Sequence, residues 1–224
     1  MSVTVLSRRA LGLAGLVGVS MTFFVGLTLA PPDRLMGEVQ RIMYVHVPAA
    51  WVGFLAFFVV FVASIAYLVR KDLWWDHLAH AAAELGVVFI ALAISLGSIW
   101  GKPTWGVWWT WDPRLTTSAL LLVIYLGYLA LRAFVEEPEK RARTAAAVGI
   151  IGFLDVPVVY LSVLWWRTLH QAPSSPETVA RPMLLALWLA VGSFTLLFSF
   201  FLVQRFRLAQ ARSRVELMEV ENDW

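Results

Sequence analysis

Six stretches of mostly apolar residues divide this chain, at approximately residues 11–30, 47–69, 81–99, 115–135, 144–164 and 182–203. Each is close to the ~20 residues an α-helix needs to cross a ~30 Å hydrocarbon core at ~1.5 Å per residue. Short polar segments separate them. The pattern predicts an all-α protein, a polytopic membrane bundle of six transmembrane helices. The first run follows Arg8-Arg9 and stops before Pro31-Pro32. Ser7-Arg8-Arg9 faintly resembles a twin-arginine signal, but the run is longer than a cleaved signal's apolar core. It reads as a retained span.

Composition narrows the picture. The chain has 224 residues, 60% hydrophobic and 15% charged, where soluble domains are roughly a quarter charged. Mean hydropathy is +0.73. The spans use nearly all of the chain, so residues 1–224 read as one membrane domain. There is no cysteine, hence no disulfide framework, thiolate metal site or Cys-x-x-Cys-His haem attachment. The chain is not itself a c-type cytochrome. It has no Gly-x-x-x-x-Gly-Lys-Ser/Thr phosphate loop and so no recognisable ATPase engine. A pI near 9.5 invites a nucleic-acid reading. The basic residues flank apolar spans and form no separate basic patch in the sequence, so no nucleic-acid partner is expected.

The loops set an orientation. With a cytoplasmic N-terminus, twelve of the 18 lysines and arginines fall on inner segments, among them Arg8, Arg9, Arg70, Lys71, Arg141 and Arg205. Six fall on outer segments: Arg34, Arg41, Lys102, Arg114, Arg167 and Arg181. The positive-inside rule therefore favours both termini in the cytoplasm. Segments 31–46, 100–114 and 165–181 then lie outside.

The middle outer segment opens an unusual stretch, WGKPTWGVWWTWDPRLTT at 100–117. It contains Trp100, Trp105, Trp108, Trp109 and Trp111 among the chain's 12 tryptophans. Two arrangements account for it. One is an aromatic belt at a membrane–water boundary. The other is a helix, in which Trp105, Trp108, Trp109 and Asp112 share one face and form a flat aromatic shelf. Pro103 and Pro113 limit the length of any such helix. Asp112 has a sufficient role as the N-cap of the fourth span, with Pro113 at its first position.

Each of the other outer segments holds one histidine, His46 in YVHVP and His170 in WWRTLHQ. Pro48 suits the first turn of the second span. A lone histidine at an interface is usually a hydrogen-bonded surface residue. Two that flank a flat apolar surface also fit haem: imidazole is a common axial ligand of haem iron, and the tryptophans supply a face for the porphyrin. Arg114, Arg167, Arg41 and Lys102 are candidates for the propionates, and equally for lipid headgroups. His77 and His80 are placed in a short inner loop, 70–80, and read as solvated. Asp155, near the middle of the fifth span before Pro157, is costly in a membrane and marks either a structural pair or a path. Glu84 enters the third span near its inner end and reads as structural or partner-facing.

The string WGKPTWGVWWTWDPRLT resembles the tryptophan-rich "WWD" signature of haem-handling proteins of cytochrome c biogenesis. Within that group, YVHVPAAW at 44–51, WWRTLHQ at 165–171 and the six spans are similar to the haem exporter protein C family, CcmC. The resemblance covers roughly residues 35–205. It implies a transient, non-covalent haem b at the outer face of the bacterial cytoplasmic membrane. It implies His46 and His170 as axial ligands to the iron. It also implies a platform from Trp100–Thr117, with Trp100, Trp105, Trp108, Trp109, Trp111, Asp112, Arg114 and Arg167 as the binding set. The implied partners are a haem chaperone, CcmE, the ATP-binding cassette subunits CcmA and CcmB, and a small subunit, CcmD. At position 155 the family more often carries an amide, so no role is transferred to Asp155.

Two other functions fit the chain more loosely. A small-solute permease subunit would use Asp155 and Pro157 as a broken helix on its path. A bis-histidine electron-transfer protein would hold its haem permanently, usually between histidines within facing helices. Here both histidines lie at the outer rim, which favours haem delivery. No acid–base or nucleophilic constellation argues for an enzyme.

Overall fold

The computed structural model describes residues 5–171 and 179–222. Its helices are α1 (Val5–Phe24), α2 (Met43–Arg70), α3 (Leu73–Trp105), α4 (Pro113–Phe134), α5 (Pro138–Phe153), α6 (Asp155–Trp165) and α7 (Arg181–Asn222). A π-helical turn, Val25–Leu29, extends α1, and a 3₁₀ turn, Glu38–Ile42, leads into α2. There is no strand among the described residues. Six stretches are long and apolar enough to cross a membrane, with α5 and α6 together making the fifth. Six alternating passes bring residues 5 and 222 to the same end of the bundle, the terminal end. The connections at 30–42 and 106–112, and residues 166–171 after α6, lie at the opposite end, the histidine end.

The helices pack on small residues. Ala49, Ala56 and Ala63 on α2 recur at heptad spacing and are almost fully buried, as are Ala79, Ala82, Ala83 and Ala93 on α3. Such residues let two backbones approach where lipid offers no hydrophobic drive between helices. Phe57 of α2 stacks on Tyr125 of α4, with ring centres 3.6 Å apart. Two ion pairs tie the terminal end. Arg132 donates to both oxygens of Asp76 at 2.6 and 2.7 Å, with both side chains only 6% exposed. Arg205 of α7 pairs with Glu84 of α3.

Three local expectations change. His77 and His80 are not in a loop. Lys71 turns in the left-handed region at φ 56°, and Asp72 then caps α3 by accepting from Trp74 N at 2.8 Å, so both histidines ride its first turns. Pro48 lies inside α2, because the helix starts at Met43. Beyond Arg205, α7 continues to Asn222, since no glycine or proline follows Gly192 to stop it. The fifth span is broken: Leu154 separates α5 from α6, and Pro157 has no N–H for the Phe153 carbonyl. Asp155 begins α6 with Oδ2 buried and without a hydrogen-bond partner.

Candidate functional site

The tryptophan-rich stretch is part helix and part loop. α3 runs through Pro103 to Trp105 and stops at Gly106, whose φ of 80° only glycine adopts readily. Lys102 secures the stop by donating to the Gly106 carbonyl at 2.9 Å. Residues 107–112 are not helical, so Trp105, Trp108, Trp109 and Asp112 share no helical face and form no single shelf. The segment is a folded loop, held to α3 by Ser98 Oγ donating to the Trp108 carbonyl at 2.8 Å. Asp112 then caps α4, with Oδ1 accepting from Leu115 N at 2.9 Å and Pro113 following.

His46 and His170 converge beside this loop. Their ring centres are 6.3 Å apart with planes at 32°. An iron held by two imidazole nitrogens needs about 6 Å: two bonds of ~2 Å, plus about 1 Å from each nitrogen to its ring centre. The separation therefore fits a shared iron. The Ala93 carbonyl accepts from His46 Nδ1 at 2.9 Å, and the Gln171 carbonyl from His170 Nδ1 at 2.9 Å. A carbonyl only accepts, so each Nδ1 carries the proton and each Nε2 keeps its lone pair. Burial, and then the Arg114 guanidinium, hold the His170 imidazole below its ordinary pKa. Both effects preserve the neutral, ligating form.

A partly open cavity of about 160 Å³ joins the two rings, and among the described residues Arg114 is the only charged one in its wall. Trp100 stands edge-on to His46 at 5.7 Å, and Trp105 lies 6.2 Å from His170. The deeper wall is apolar, formed by Phe54, Ile90, Ile94 and Val159. Two polar atoms of the cavity wall are buried without a partner, Trp100 Nε1 and Arg114 Nη1. Buried donors normally find acceptors, so such a set suits a site that a ligand completes.

The remaining residues of the expected set divide. Trp108 and Trp111 are 59% and 77% exposed and lie outside the cavity wall. Trp109 packs edge-on against Trp111 at 5.5 Å. Arg167 is exposed and also outside the wall. Arg41 is held by Glu38 and by the Gly26 and Ala30 carbonyls, and so anchors the segment before α2.

Asp112 is outside the wall too, yet it holds the segment that carries His170. Its Oδ2 accepts from Thr168 Oγ1 at 2.8 Å and Leu169 N at 3.1 Å, while His170 N donates to Thr168 Oγ1 at 3.1 Å. One carboxylate thus caps α4 and fastens the His170 loop to the tryptophan loop. Sequence reading missed three contributors: Thr168, the Ala93 carbonyl and Gly97. A Cβ at Gly97 would lie 3.0 Å from His46 Cε1, so the glycine leaves room for the ring. A glycine one turn before Trp100 was visible as a signal. The Ala93 carbonyl was not, because every residue has one.

The chain matches the family model described as heme exporter protein C over residues 2–221. It is 37% identical over 196 residues to heme exporter protein C of Bradyrhizobium diazoefficiens, covering 86% of this chain and 74% of the relative. To heme exporter protein C of Haemophilus influenzae it is 36% identical, covering 86% and 79%. To that of Escherichia coli K12 it is 33% identical over 215 residues, covering 96% and 86%. With this match over nearly its whole length, the chain belongs to the heme exporter protein C family.

Proposed function

We propose that this protein binds haem between His46 Nε2 and His170 Nε2 at the outer face of the cytoplasmic membrane, and delivers it to a haem chaperone for c-type cytochrome maturation. The observation that carries the reading is the pair of Nδ1-protonated imidazoles, 6.3 Å apart across one cavity. Trp100 and Trp105 flank the porphyrin. Arg114, with a buried unpaired nitrogen, meets a propionate through a charge-assisted hydrogen bond. The apolar wall below excludes water, and the protein's work is positioning.

Exposed Trp108 and Trp111 form an apolar rim where the chaperone CcmE approaches. The histidine end faces the periplasm because the opposite end carries most of the cationic loop residues. ATP hydrolysis falls to the cassette partners CcmA and CcmB, with CcmD as the small accompanying subunit, since this chain has no phosphate loop. The haem is non-covalent and transient, as delivery requires, and haem b is the form expected.

Absorption spectra of wild type, His46→Ala and His170→Ala, purified after co-expression with the chaperone, test the ligation. Wild type is expected to show six-coordinate low-spin haem, and each variant a high-spin or depleted spectrum. Unchanged spectra in both variants would remove the ligand assignment. A haem-free wild type would favour the permease alternative, in which Asp155→Asn abolishes function and the histidine variants do not.

A further inference from the structure

We infer that the terminal end holds a binding site for a phosphate-class anion, the headgroup phosphate of an acidic phospholipid. A second cavity, about 130 Å³, lies there between α3, α4, α5 and α7, lined by Arg132, Arg141, Arg205, Arg212, His77 and His80. Two of its four guanidiniums are neutralised within the chain, Arg132 by Asp76 and Arg205 by Glu84. Arg141 and Arg212 have no carboxylate partner among the described residues. Among the described residues the cluster therefore keeps two unbalanced positive charges around one cavity.

Two donors in this wall lack acceptors. Arg132 Nε and Arg141 Nε are both buried without a hydrogen-bond partner, and Arg132 as a whole is 8% exposed. A buried donor without an acceptor is unfavourable, and a phosphate oxygen is the acceptor that planar guanidinium forks match best. A cation is disfavoured by the surrounding arginines. No group of three histidines or carboxylates suited to a metal occurs among the described residues.

Position selects the source. The apolar run of α7 gives way to Arg205 just after Val203, so the cavity sits where a membrane meets water. Leu208 is part of its wall and 40% exposed, an apolar flank for a glycerol backbone. Basic pockets between membrane helices at that level suit anionic headgroups. Inorganic phosphate has the same chemistry without the anchor.

The test is native mass spectrometry of the full chain in detergent. Phosphatidylglycerol is the ligand, phosphatidylcholine the neutral control, and inorganic phosphate the competitor. Wild type is expected to retain phosphatidylglycerol selectively. The Arg141→Gln/Arg212→Gln double variant should bind it roughly tenfold more weakly or worse, with Arg141→Lys intermediate. Displacement of the lipid by inorganic phosphate at comparable affinity supports the site and assigns it to a soluble anion. Equal retention of both lipids, or equal retention by wild type and double variant, overturns the inference. So does binding of an acidic peptide with neither lipid nor phosphate bound. The haem spectrum of the double variant should match wild type, so failure here is separable from failure of the haem site.

Discussion

At the terminal end, Arg132 gives both terminal nitrogens to Asp76 and Arg205 closes on Glu84. At the histidine end, Arg114 stands in a cavity wall with Nη1 buried and unpaired, near two imidazoles whose Nε2 lone pairs are uncommitted. Both ends hold arginines with a buried unpaired nitrogen, but their carboxylates are used differently. One end uses Asp76 and Glu84 to join α3 to α4 and α7, and leaves Arg132 Nε and Arg141 Nε over. The other holds its polar groups ready with backbone carbonyls and one carboxylate, and leaves the working atoms free. The ion pairs that join helices thus lie at the terminal end, and on the function proposed above haem affinity belongs to the histidine end.

Breaking the buried pair should have the largest effect. Arg132→Ala strands Asp76 and should cost about 3–5 kcal/mol, read as a large drop in melting temperature in detergent. Arg114→Ala should leave the melting temperature near wild type while haem retention falls. Equal destabilisation by both variants would erase the distinction between the ends. Next in size is Asp112→Ala. Losing the support behind a ligating histidine typically weakens a metal site about 10–100-fold. Haem affinity should fall in that range, with a rise in the high-spin fraction, and Thr168→Val should follow in the same direction with a smaller change. If Asp112→Ala binds haem normally, the carboxylate is only a helix cap.

Gly97→Ala is milder and more selective. Replacing a helical glycine with alanine gains up to ~1 kcal/mol of helix stability, yet the new methyl would press on His46 Cε1. A stable protein with an altered haem spectrum is expected; an unaltered spectrum would mean that the ring has room to move.

The smallest effect is on pH dependence. Because His170 titrates below its ordinary value of about 6.5, the folded chain takes up that proton less readily than the unfolded chain. The group therefore withdraws no stability above about pH 6.5 and withdraws it increasingly below. Haem retention should persist through pH 6.5 and fail only in more acid solution. Half-loss at or above about pH 6.5 would contradict the geometry around His170.

The six spans were legible because hydrophobic length is a property of the local sequence, and each observed stretch overlaps its apolar run. The N-cap role of Asp112 was legible for the same reason: an Asp-Pro pair before an apolar run acts within a few residues. Where the reading erred, the outcome depended on where helices stop. Gly106 ended α3 inside the tryptophan run and replaced a flat shelf with a loop, while Asp72 started α3 early enough to take in His77 and His80. Residue identity placed His46, His170 and Arg114 among the candidates, and family likeness singled out the two histidines as ligands. It could not divide the five tryptophans between the cavity wall and the exposed rim, because that depends on how the loop folds back onto Ser98.

By itself, then, the sequence determined the membrane class, the number of passes and the residue types available at each end, all of which follow from side-chain transfer energies and local caps. Only the tertiary structure decided which nitrogen of each histidine is free, that Asp112 reaches Thr168 across 56 residues, and which arginines are paired. Those outcomes depend on contacts between helices distant along the chain, where a shift of an ångström makes or breaks a hydrogen bond.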